Sequence, residues 1–175
     1  MWFAELIKGL EEVGVKELER LGATRVRRVA DGARFEAKDM TPVVEARTVA
    51  ALYLTRTFDV PRPKALLGDA ALRELAAAVK SVAGEHGGGT PLSGGTFDGL
   101  RLAAAGSDSP VMKRLGEELA RATGLGYDPA EGELLVRLRP APLGRGWEAL
   151  GRLTPRPATA RWWRVCNRAG ASTPR

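Results

Sequence analysis

The chain of 175 residues has one cysteine, Cys166, and one histidine, His86. A lone thiol excludes an internal disulfide and a thiolate metal cluster, and with His86 it leaves a zinc site almost without ligands. A Cys166/His86 nucleophile would have to be assembled from a glycine-rich stretch and a C-terminal tail. The simpler reading takes Cys166 as a small apolar residue and His86 as a solvated loop residue. Long apolar runs are missing too: Val49 to Leu54 is flanked by Arg47 and Arg56, far short of the ~20 residues that span a bilayer. Met1-Trp2-Phe3-Ala4-Glu5 has no basic stretch, and its acid interrupts any signal-like apolar segment, so a cytoplasmic protein is expected. The glycines from Gly84 to Gly95 resemble a phosphate cradle, but Gly94-Gly95-Thr96-Phe97 lacks the lysine a P-loop requires, which favours a flexible connector.

What is present is an ordinary folding composition, 44% hydrophobic and 27% charged, enough for one domain or two small ones. The charge is unevenly placed. Residues 151–175 hold six arginines (Arg152, Arg156, Arg161, Arg164, Arg168, Arg175) and no acid or lysine, while the whole chain is +6, so residues 1–150 are neutral overall. Trp162 and Trp163 interleave with these arginines. Such a segment offers phosphate-neutralising charge and flat surfaces for a base; it equally fits two tryptophans buried at a junction beside solvated arginines.

Trp2 to Ile7 reads as a strand, and Leu10, Val13, Leu18 and Leu21 then share one helical face up to Gly22. Thr24 to Val29 and Ala33 to Lys38 form a hairpin turned at Asp31-Gly32, where positive φ is expected. Thr41-Pro42 starts a second helix through Val44 and Ala51, and Tyr53 to Val60 closes a βαββαβ unit before a linker at Pro61 and Pro63. Asp69 caps a helix with Leu72, Leu75, Val79 and Val82 on one stripe. Thr96 to Ala103 follows as a strand, then a helix begun by Ser107-Asp108-Ser109-Pro110 runs through Met112, Leu115 and Leu119 to Gly124. Glu133 to Arg139 alternates, with Leu134, Val136 and Leu138 facing a core, and Trp147 to Thr154 pairs with it.

This order resembles the THUMP module with its N-terminal ferredoxin-like subdomain, found in tRNA guanosine N2-methyltransferases, rRNA guanine methyltransferases, 4-thiouridine synthetases and some pseudouridine synthases. Gly9-Leu10-Glu11-Glu12 with Glu17-Leu18 is similar to the opening of the methyltransferase members. Thr96-Phe97 belongs to the pattern that resembles the THUMP module, and Leu153-Thr154-Pro155-Arg156-Pro157 followed by Arg161-Trp162-Trp163-Arg164 is similar to the segment that the methyltransferase members place just before their catalytic domain. The implied fold class is α+β: a ferredoxin-like subdomain over residues 1–62, a THUMP domain over 63–157, and a basic tail over 158–175. In the family an Asn-x-Pro-Gly-Ala-like stretch leads into the methyltransferase fold; here Asn167-Arg168-Ala169-Gly170-Ala171 is followed only by Ser172 to Arg175. The expectation is an RNA-binding half, excised or working with a separate methyltransferase subunit, whose S-adenosylmethionine would sit in a catalytic domain outside this sequence.

The resemblance implies recognition of the tRNA acceptor stem and its 3′ CCA end, with rRNA as the alternative. Lys113 and Arg114 near the start of the Ser109-capped helix are the first candidates for phosphate contacts. Ser107 and Ser109 add hydroxyl donors, though Ser109 equally serves as a cap alone. Arg101, Arg137 and Arg139 extend the surface, unless Arg101 or Arg137 pairs with Glu133 or Glu148. Arg152, Arg156, Arg161 and Arg164 make the tail's contribution. Two rivals remain: catalysis by this chain itself, and a protein-interaction module that docks through Trp162-Trp163.

Overall fold

The computed structural model describes residues 1–83, 97–106, 108–142 and 146–153. Among the described residues it is an α+β fold of eight strands and three α-helices. The described residues divide into two compact units, one over residues 4–52 and one formed by Met1–Phe3 with the described residues of 53–153.

In the first unit the end of β1 (Trp2–Leu6) leads into α1 (Glu11–Arg20), then β2 (Thr24–Val29), β3 (Gly32–Glu36) and the start of β4 (Val49–Phe58). The strand order is β2-β3-β1-β4. α1 buries Gly14 and Leu18, while Leu10 and Val13, expected on the inner face, are 42% and 53% exposed. The helix begins only at Glu11, and Gly14 is what faces inward. A Cβ on Gly14 would stand 2.7 Å from Leu6 Cδ2, so the missing side chain sets how closely helix and strand approach. The β2–β3 hairpin forms with Val29 opposite Gly32. Its two loop residues are therefore Ala30 and Asp31, and positive φ is found at neither, nor at Gly32.

The expected second helix is absent. Val43–Glu45 makes a single 3-10 turn, Ala46 is extended, and Ala51 lies inside β4. Val43, Val44, Thr48 and Val49 are β-branched and favour extended backbone. The run from Val49 to Leu54 gains more as a strand buried on both faces than as a helix with one apolar stripe.

The second unit contains the rest of β4, α2 (Asp69–Ala83), β5 (Gly99–Ala103), α3 (Pro110–Thr123), β6 (Gly126–Tyr127), β7 (Leu134–Pro140) and β8 (Trp147–Arg152). Strand order is β4-β8-β7-β5-β6, with β8 antiparallel to both neighbours and β5 parallel to β7 and β6. The expected linker at Pro61 and Pro63 instead forms a 3-10 turn, Pro63–Leu67, that buries Leu66 completely. The two-residue β6 has too short a pattern to be read from sequence. Leu75, Val79 and Val82 of α2 and Met112, Leu115 and Leu119 of α3 pack on Leu100, Leu102, Leu134, Val136 and Leu138. Each such buried side chain contributes roughly 2 kcal/mol. No described helix is long and apolar enough to cross a membrane.

Candidate nucleic-acid interface

α3 is fixed at both ends by its own sequence. Ser109 is the N-cap, its hydroxyl accepting from the Met112 N–H at 3.4 Å, and Pro110 fills the first helical position. Gly124 ends the helix with φ 79°, a left-handed conformation that glycine adopts without Cβ strain. Burial of Met112, Leu115, Leu119 and Ala120 turns Lys113 and Arg114 outward, where both are exposed. Among the described residues neither makes an ion pair. Two cations thus lie one turn from the positive end of a helix dipole, which favours an anion. Capping uses the Ser109 oxygen as acceptor, and the O–H remains a donor.

On the sheet face away from α2 and α3, cross-strand register pairs Tyr53 with Arg152 and Arg101 with Leu135, and sets Thr55, Leu150, Arg137 and Ala103 in one row. These arginines lie along the sheet. The Arg137 guanidinium carbon is 5.4 Å from the Tyr53 ring centroid, and that of Arg139 is 4.8 Å from the Phe3 centroid, both within cation–π reach. Arg139 Nε also donates to Glu148 Oε2 at 3.0 Å, with the Glu148 side chain fully buried. Glu148 thus has Arg139 as a partner, beyond the Arg101 and Arg137 that the sequence offered it. Glu133 accepts from the Asp98 N–H at 3.5 Å instead.

Arg101 is committed to a loop. Its Nη1 donates to the Ala130 carbonyl at 3.4 Å, and its Nε is buried with no hydrogen-bond partner among the described residues. That loop is built on Asp128, whose Oδ1 accepts from the Ala130 and Glu131 N–H groups at 2.9 Å each. The Glu131 and Ala130 N–H groups hold the Asp128 carboxyl below its ordinary range. Gly132 ends the loop against β5, where a Cβ would meet the Leu100 carbonyl carbon at 2.4 Å and the Arg101 nitrogen at 2.6 Å.

The structure thus brings Arg137, Arg139 and the half-buried Arg152 onto one face, and sets Lys113 and Arg114 on the exposed side of α3. Ser107, Arg156, Arg161, Arg164, Trp162, Trp163, His86 and Cys166 lie outside the described residues. Phe3 and Tyr53 were not among the residues singled out from sequence. Alternation in β7 placed Arg137 and Arg139 on a common face, but nothing local marks which aromatic rings cross beneath them.

No protein-family model matches the sequence, and no curated protein matches it. Among solved structures, TrmN from Thermus thermophilus is similar with a TM-score of 0.58 and 22% identity, over 91% of this chain and 47% of that one. A Pyrococcus horikoshii protein is similar with a TM-score of 0.48 and 8% identity, over 86% of this chain and 52% of the other. A predicted N6-adenine-specific DNA methylase from Listeria monocytogenes gives 0.45 and 14%, over 86% and 39%. The likeness to TrmN is one of fold, and this chain spans about half of that protein's length.

Proposed function

We propose that this chain is an RNA-binding module that recognises the tRNA acceptor stem and 3′ CCA end on behalf of an S-adenosylmethionine-dependent guanine-N2 methyltransferase. The observation that carries the reading is the exposed Lys113–Arg114 pair at the start of the capped helix α3. The fold shared with about half of TrmN supports it. In this reading residues 1–62 are a ferredoxin-like subdomain, 63–157 a THUMP domain, and 158–175 a basic connection toward the catalytic part.

The work assigned to the module is positioning. An A-form duplex hides its base edges in a deep, narrow major groove, so a stem is held by phosphate and ribose contacts, and an unpaired end is the part open to direct reading. Lys113 and Arg114 supply donors and charge for an anion at the positive end of the α3 dipole. Arg152, Arg156, Arg161 and Arg164 add charge for the flanking backbone.

The test is a gel-shift series with full-length tRNA and with the same tRNA lacking its CCA end. Removal of CCA is expected to weaken binding about tenfold or more, equivalent to ~1.4 kcal/mol. Lys113→Ser with Arg114→Ser is expected to abolish most of that difference. Equal affinity for the two RNAs would sink the 3′-end assignment.

A further inference from the structure

The outermost strand of the first unit holds cations that the α3 site does not use. β2 reads Thr24-Arg25-Val26-Arg27-Arg28-Val29, and all three arginines are exposed. It stands at the end of the strand order, beside β3. An edge strand leaves a row of backbone N–H and C=O groups without ladder partners.

Arg25 is already engaged, with Nη1 3.2 Å from Glu36 Oε1. Its φ of 52° is left-handed, and the register slips between Thr24 and Arg27, so a bulge interrupts the ladder there. Beyond the bulge Arg27 stands opposite Arg34, and Arg28 opposite Ala33. Consecutive residues of a strand point to opposite faces, so two neighbouring guanidiniums leave the edge on its two sides. Like charges directly across a ladder weaken the pairing, and the hairpin nevertheless carries Arg27 against Arg34. Glu11 lies within coulombic reach of Arg28, yet no ion pair joins Arg27 or Arg28 to a carboxylate among the described residues.

We propose that this edge is a second RNA contact, a clamp on a stretch of sugar-phosphate backbone. Arg27 and Arg28 flank the backbone from two sides, and outward N–H groups of β2 donate to phosphate oxygens between them. The inference rests on the reading that the chain binds RNA, and it adds a site outside α3. Such a clamp asks only for repeated negative charge and acceptor oxygens, which a duplex presents whatever its sequence.

A blunt-ended RNA duplex, with no single-stranded end, is the probe. Its affinity for the full chain is measured over a range of salt, beside Arg27→Ser/Arg28→Ser and Arg27→Lys/Arg28→Lys. The serine variant is expected to bind more weakly and to lower the log-log salt slope by about two, while the lysine variant keeps the slope and controls for folding. An unchanged slope in the serine variant, with wild-type binding intact, overturns the clamp and leaves the tRNA reading standing. The same holds if the serine variant keeps its RNA affinity but self-associates in sedimentation, because the arginines then only guard the edge. A wild type whose duplex binding depends on this edge but which ignores the CCA end supports the clamp and overturns the 3′-end assignment. No binding of duplex or tRNA at all overturns both.

Discussion

Glu17 shows how one carboxylate organises a turn. It accepts from the Arg47 N–H at 3.1 Å, from the Thr48 N–H at 2.9 Å and from the Thr48 hydroxyl, fastening α1 to the residues that enter β4. Burial pushes the Glu17 carboxyl up, but the hydrogen bonds from Thr48 and Arg47 outweigh it and hold the group below its ordinary range. A lowered folded pKa gives stability that is complete above the ordinary glutamate range and lost as pH falls through the folded value. Glu17→Gln is therefore expected to cost about 1 kcal/mol at neutral pH, with the gap to wild type closing in acid. Urea midpoints at several pH values check this; a gap that stays constant as the pH falls would contradict it. The sequence placed Glu17 within a family-like Glu-Leu pair but gave no sign of its partners, which lie 30 and 31 positions away.

Among the elements, those with strong local signals were readable and those decided by distant packing were not. Ser109, Pro110 and Gly124 mark α3 with cap chemistry that needs no tertiary context, and the helix starts and stops as expected. Thr41-Pro42 carried a similar start signal. There the competing demand of a buried strand from Val49 onward prevailed, and only a 3-10 turn remains. β6 and the turn at Pro63–Leu67 exist because of what they pack against, which no local pattern reports. The loop from Asp128 to Gly132 belongs to this second kind. Gly132→Ala would force a Cβ into the backbone of Leu100 and Arg101. A loss of about 2 kcal/mol is expected, typical of overpacking against atoms that cannot move aside. A denaturation midpoint within error of wild type would show that β5 yields more easily than its backbone contacts imply.

For the molecule as a whole, the legible part of the candidate interface was its charge. The sequence already separated a neutral stretch over residues 1–150 from a basic one over 151–175. It did not distinguish cations that face solvent from cations laid on rings and carboxylates. Lys113 and Arg114 are of the first sort, Arg137 and Arg139 of the second. Binding dominated by phosphate contacts should weaken linearly on a log-log plot as salt rises, with a slope of about one per contact. Docking through an apolar surface should respond little. A tRNA affinity indifferent to salt would therefore remove the electrostatic basis of the proposed function. The Arg139–Glu148 pair points in another direction. Losing one member of a buried ion pair is costly, while replacing both with well-packed apolar residues is often neutral. Descendants of this gene should inherit the two residues together or lose them together, so their joint history across lineages will record this contact.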